Sequence, residues 1–132
     1  MTNYLEYYNE VNAQKQIDKL AKKYKNKKIV IYGAGLMSEV LFKHFDLSKL
    51  NITAICDKKY ESASGDFFGY KTIKPGDLKE YECDIIFVLL LQELQVIDFL
   101  KDELLINTIN ENTKIKPLIK IPFLKCIKYI FS

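Results

Sequence analysis

Lys27-Lys28-Ile29-Val30-Ile31-Tyr32-Gly33-Ala34-Gly35-Leu36-Met37-Ser38 leads from a lysine pair through four β-branched or aromatic residues into a Gly-Ala-Gly turn. A short apolar run bounded in this way predicts a buried β-strand. Beyond the turn, Leu36, Val40, Leu41 and Phe45 recur at helical spacing, so they share one face of a helix. The stretch therefore reads as strand, tight turn and helix.

A turn with little side chain lets a ligand approach the backbone, and the first N–H groups of the following helix have no intrahelical acceptor. Such a place suits an anion. In the dinucleotide-binding form of this motif the first glycine makes the turn, the second admits the pyrophosphate, and a third small residue lets helix and strand pack closely. Here those positions are Gly33, Gly35 and Ser38, with Ser38 departing from the usual glycine or alanine. The cradle comprises Gly33, Ala34, Gly35, Leu36, Met37 and Ser38.

A second strand-like run, Asn51-Ile52-Thr53-Ala54-Ile55-Cys56, ends on Asp57, 24 positions after Gly33. That is near the offset of roughly 20 residues at which an acidic side chain reaches a ribose hydroxyl. A carboxylate there favours NAD or a UDP-sugar, whereas Lys58 and Lys59, which follow it, would instead hold the extra phosphate of NADP. Lys58 joins Asp57 in the expected cofactor-binding set.

Lys28 to Asp57, together with Phe68-Gly69-Tyr70-Lys71 and Asp84-Ile85-Ile86-Phe87-Val88, resembles the small Rossmann-fold nucleotide-binding domains of bacterial surface-polysaccharide enzymes. These include nucleotide-sugar dehydrogenases and dehydratases, and the N-terminal domains of acetyltransferases that modify UDP-linked amino sugars. The resemblance spans residues 27–110 and implies a nucleotide or nucleotide-sugar ligand and a place in polysaccharide biosynthesis. Its motifs specify fold far better than substrate.

Composition sets further bounds. A chain of 132 residues with 48% hydrophobic content fits one domain with a real core, and is too short for a nucleotide-binding domain plus a full substrate domain. The formal charge is only +3, and arginine and tryptophan are absent. Arginine is the preferred reader of guanine and phosphate, so nucleic acid is not an expected partner. Cys56, Cys83 and Cys126 lack the paired spacing of zinc sites and read as reduced, structural thiols. No metal is expected. The first residues lack the basic patch and apolar stretch of a secretion signal, which points to the cytoplasm.

Around the central motif, residues 1–26 are expected to form an N-terminal helix, with Leu5, Tyr8, Val11, Ile17, Leu20, Ala21 and Tyr24 on its apolar side and an interruption at Ala13 to Lys15. This helix serves either to cover the sheet or to associate with a second copy. His44, the only histidine, sits near a helix C-terminus, where a solvated cation is favoured by the helix dipole. Tyr70 and Lys74 satisfy a Tyr-x-x-x-Lys spacing, but Thr72 and Ile73 between them favour a strand.

Ile85 to Leu91 is the most apolar run and reads as a central parallel strand buried on both faces. Gln92 to Glu103 is predicted as a helix, and Leu105 to Ile109 as the last strand. Alternating strands and helices predict a three-layer, Rossmann-like α/β fold with a parallel sheet in the order 3-2-1-4-5. Residues 111–132 are set apart as a basic apolar tail. From Thr113 onward there are five lysines and no acid, which leaves the rest of the chain at −2. Phe123, Leu124, Ile127, Ile130 and Phe131 beside Lys125 and Lys128 suit packing on the domain, a homodimer partner, a larger biosynthetic enzyme or a membrane surface.

Three functions stay open on these grounds. The first is a module binding NAD, NADP or a nucleotide-sugar. The second is a small sugar-nucleotide oxidoreductase, although no convincing acid, base or nucleophile set accompanies the cradle. The third is a non-enzymatic interaction protein whose nucleotide site is empty.

Overall fold

A computed structural model describes residues 3–89 and 113–119. Its centre is a five-stranded, all-parallel sheet: β1 (Ile29–Tyr32), β2 (Ile52–Cys56), β3 (Thr72–Ile73), β4 (Ile85–Val88) and β5 (Lys114–Pro117), in the spatial order β3-β2-β1-β4-β5. This is the expected 3-2-1-4-5 arrangement. The two most apolar runs, β1 and β4, are adjacent central strands, paired from Ile29 with Ile85 to Tyr32 with Val88.

Strand geometry explains why both runs are apolar throughout. Successive side chains alternate between faces. Ile29, Ile31, Ile85 and Phe87 pack on one side with residues from the helices, while Val30, Tyr32, Ile86 and Val88 pack on the other. On that second side Leu78, Tyr81 and Cys83, from the connection into β4, supply described cover. Thr53 is an extra residue in β2 where the pairing to β1 slips, and its hydroxyl donates to the Ile29 carbonyl at 3.2 Å. A bulge of this kind re-aims the end of a strand.

The N-terminal segment is two helices rather than one: α1 (Tyr4–Glu10) and α2 (Ala13–Lys23). The break falls at Asn12, which takes the left-handed conformation (φ 55°) that asparagine tolerates better than most side chains. The Gln16 amide closes the gap by donating to the Val11 carbonyl at 2.9 Å. Tyr7, Tyr8, Val11, Ala13 and Ile17 are all buried in the core cluster that includes Ile29, Ile31, Ile85 and Phe87, so the segment covers that face of the sheet. Tyr8 rests edge-on against Phe45, just past α3 (Leu36–His44).

The fifth strand corrects the sequence reading. Lys114–Pro117 pairs with β4, although it lies in the stretch set apart as a tail, and Leu105 to Ile109, the run expected to be that strand, lies outside the described residues. Apolar density is a poor guide at a sheet edge, where a strand needs few buried side chains. In β5 Ile115 is buried between exposed Lys114 and half-buried Lys116, and Pro117 ends the strand. The expected helix at Gln92 to Glu103 also lies outside the described residues, as does the apolar part of the tail beyond Ile119.

Candidate functional site

The strand β1 runs directly into the glycine turn. Gly33 extends the ladder by donating its N–H to the Cys56 carbonyl at 2.8 Å, then turns with φ 128°. An L side chain rarely adopts that angle, so glycine is required there. Gly35 is the N-cap of α3 and lends it no side-chain hydrogen bond. The first helical bond is from the Glu39 N–H to the Gly35 carbonyl, so the N–H groups of Leu36, Met37 and Ser38 lie ahead of the intrahelical ladder. A β-carbon at Gly35 would meet nothing within 4 Å. Space is therefore open at the Gly35 β-carbon position, and Gly35 and Leu36 are exposed.

Side chains hold this turn from three directions. The Ser38 hydroxyl, fully buried, donates to the Gly33 carbonyl at 2.6 Å. Asp57, at the end of β2, accepts from the Ala34 N–H at 2.8 Å through Oδ2 and from the Lys59 N–H at 3.0 Å through Oδ1. The Lys59 ammonium returns over the turn and donates to the Ala34 carbonyl at 2.5 Å. It lies 5.5 Å from the Tyr60 ring centre and 6.0 Å from that of Phe67, within cation–π range. A fourth contact fixes the helix itself, since the Tyr8 hydroxyl donates to the Met37 carbonyl at 3.0 Å.

The expected set thus divides. Gly33 to Ser38 and Asp57 come together at the carboxyl ends of β1 and β2, beside Leu89, whose N–H bonds the Tyr32 carbonyl at 2.9 Å. Asp57, expected to face a ribose, also touches the turn itself. Each carboxylate oxygen has a second lone-pair site, so the two backbone contacts leave acceptor capacity. Lys58 is exposed on the short 3₁₀ turn Lys58–Glu61, and the lysine that reaches the turn is Lys59. The signal for Lys59 lay in the Asp-x-Lys spacing. An aspartate commonly bonds the N–H two residues on, and this folds the chain back on itself. Tyr8 had no comparable signal.

Neighbouring titratable groups are held neutral. Burial, with Cys56, Asp57 and Glu61 nearby, pushes the Tyr32 phenol up. Burial, helped by Asp57 and Asp77, does the same to the Cys56 thiol. Burial also pushes the Cys83 thiol up to about 11, against a hydrogen bond with Thr113. A nucleophilic cysteine needs a depressed pKa, so these thiols behave as core residues. His44 is exposed in the last turn of α3, at the opposite end of the helix from the cradle. Tyr70 bridges to Phe67 while Thr72–Ile73 forms β3, so Tyr70 and Lys74 are not one helical turn apart.

No curated protein matches this sequence. A family described as C2185-like, N-terminal, matches residues 25–115, a span that begins just before β1 and takes in the glycine turn, Asp57 and Lys59. That span covers more than half of the chain, which therefore belongs to the C2185-like N-terminal family.

Proposed function

We propose that the domain binds a nucleotide, NAD(H) or a nucleotide-sugar, with its phosphates on the turn Gly33 to Ser38 and its ribose toward Asp57. One observation carries this reading: α3 begins without a side-chain cap, beside open space at Gly35, at the carboxyl ends of the central strands. In open parallel sheets that crevice is where ligands sit. Asp57 supports it, since its carboxylate is 2.8 Å from the Ala34 nitrogen and retains free lone-pair sites. The link to bacterial polysaccharide biosynthesis rests on the sequence resemblance alone, and no reaction is proposed.

Calorimetric titration with NAD, NADP and a UDP-sugar tests the reading, with Asp57→Asn as the diagnostic variant. The asparagine amide oxygen can still accept from the Ala34 N–H, at the cost of the bond from the Lys59 N–H, while the charge disappears, so a thermal melt of the variant accompanies the titration. A carboxylate repels a 2′-phosphate and welcomes a ribose diol. The expected result is tighter NAD or UDP-sugar than NADP in the wild type, and a narrower gap in Asp57→Asn. Tighter NADP in the wild type would assign the specificity to Lys59. A second reading, an interaction domain with an empty site, draws on the turn's own satisfaction, because two carbonyls and one N–H are already taken up by Ser38, Lys59 and Asp57. Failure of all three ligands to bind would select it.

A further inference from the structure

Between Val11 and Lys28 the sequence carries seven lysines and one acid. The structure sorts them. In α2, Lys15, Lys19, Lys22 and Lys23 fall at spacings of four, seven and eight residues, which is one face of a helix. All four are exposed. The opposite face is in the core, where Ala13 and Ile17 are buried and Leu20 and Ala21 pack against them. Asp18, the one acid on α2, lies at the margin of the lysine face and accepts from the Gln14 amide at 3.1 Å.

The basic face continues beyond the helix. The Lys23 ammonium stands 5.5 Å over the Tyr24 ring. The edge strand β5 places Lys116 opposite Phe87, whose ring meets the Tyr24 ring edge-on at 5.6 Å between centres, with Lys114 two residues before it. Burial alone would raise the Tyr24 phenol, but a hydrogen bond with Lys116 and the charges of Lys116, Lys23 and Lys114 hold it below its ordinary value. Lysines from two distant parts of the chain thus converge on one edge of the molecule. At the entry to β1 the field is partly offset, since Lys28 pairs with Glu82 at 3.6 Å and Asp84 accepts from the Lys28 N–H at 2.7 Å.

We propose that the lysine face of α2, continued by Lys114 and Lys116 on β5, is an electrostatic docking surface for an anionic membrane. Two features choose a lipid surface over nucleic acid. The cations are all lysines, compact point charges that suit a diffuse field of headgroups, and the chain has no arginine for bidentate phosphate or base contacts. The sequence after β5 carries matching chemistry, with Lys120, Lys125 and Lys128 set among Phe123, Leu124, Ile127, Ile130 and Phe131 and no acid. Basic and apolar residues together are what an interfacial segment uses, and one weak attachment is made firm by a second. The surface uses none of the residues of the glycine turn, so it stands independently of the nucleotide reading.

The test is co-sedimentation of the full chain with vesicles of phosphatidylcholine alone and of phosphatidylcholine mixed with phosphatidylserine, at low and at high salt. The variant is Lys15→Gln, Lys19→Gln, Lys22→Gln and Lys23→Gln combined, checked by circular dichroism; exposed positions opposite the core tolerate glutamine. The proposal expects binding to the mixed vesicles only, reversal by salt, and roughly fivefold weaker partition for each lysine neutralised near the surface. Equal binding to neutral vesicles would overturn it, as would no vesicle binding, or full binding by the folded quadruple variant. Tighter binding to a duplex or single-stranded oligonucleotide at the same salt would replace it with a nucleic-acid surface.

Discussion

The turn after β1 and the turn before β3 both carry the backbone through positive φ. At Gly33 (φ 128°) the residue has no β-carbon, whereas at Phe68 (φ 52°) it bears a phenyl ring. The first turn is buried at Gly33 and Ala34 and held by polar groups, Ser38, Asp57 and Lys59, each within 2.5–2.8 Å of a backbone atom. The second is a two-residue loop, Phe68-Gly69, closed by the Tyr70 N–H on the Phe67 carbonyl at 2.9 Å, with positive φ at both central positions. Asparagine and glycine are the usual occupants of such a turn. Here aromatic contacts hold a residue that the backbone disfavours, for Phe68 lies 5.9 Å from Phe42 and 5.0 Å from Phe67. The first turn is specified by conformation and hydrogen bonding, and the second by packing.

The comparison presumes a sheet rigid enough to hold both turns, and that presumption is the easiest to break. Ile86, fully buried in β4, packs in a cluster with Val30, Ala54, Val88 and Ile115, and no cation belongs to that cluster among the described residues. Ile86→Asp should abolish cooperative unfolding altogether, because an unpaired carboxylate in the core costs several kcal/mol against a typical stability of about 5–15 kcal/mol. A native-like circular dichroism melt from this variant would place Ile86 outside the core.

Within the first turn, Gly33→Ala and Ser38→Ala separate its two supports. A β-carbon at φ 128° should cost about 1–3 kcal/mol. Losing the buried Ser38 hydroxyl should cost about 1–2 kcal/mol, as the Gly33 carbonyl loses its partner. Urea denaturation measures both, and a neutral Gly33→Ala would show that the turn can relax to an ordinary angle.

Much of this turn was legible in the sequence, because glycine spacing is a direct record of backbone geometry and the apolar runs of β1 and β4 record burial on two faces. In the sequence Ser38 is only a departure from the motif. Its hydroxyl turns out to complete the turn, which spacing cannot reveal. Other parts were not legible for physical reasons. The interruption of the apolar stripe at Ala13 to Lys15 marked the place, but the break itself depends on one left-handed residue, Asn12. The edge strand β5 buries too little to leave a pattern. The clamp by Lys59 follows from a local fold-back at Asp57 that is written in hydrogen bonds rather than in hydrophobicity.

Gly35→Val divides stability from binding. Gly35 has φ −93° and open space around its missing β-carbon, so valine should change stability by less than about 1 kcal/mol. The same side chain would fill the space a phosphate needs. Nucleotide affinity should therefore fall by at least an order of magnitude in a protein that melts normally, as titration calorimetry would record. Unchanged affinity would move the phosphates away from this turn.

The smallest effect is expected at Phe68, where two contributions oppose. Releasing a non-glycine residue from the left-handed region is worth about 1–2 kcal/mol, while each aromatic pair contributes about 0.5–1.5 kcal/mol beyond its buried area. Phe68 is 50% exposed, so its rings gain less from burial than a core pair would. Phe68→Gly should therefore shift stability by no more than about 1 kcal/mol in either direction. Phe68→Val keeps the strain, adds a β-branch and forfeits the ring contacts, so it should destabilise by more than the glycine does. Urea denaturation of the two variants checks the ordering. If glycine proves the more harmful substitution, the backbone at Phe68 stores no strain worth releasing, because both variants forfeit the ring contacts alike. If both are neutral, the aromatic contacts contribute nothing measurable and the turn is held by the Phe67–Tyr70 bridge and by Asp66, which accepts from the Gly69 N–H at 3.3 Å.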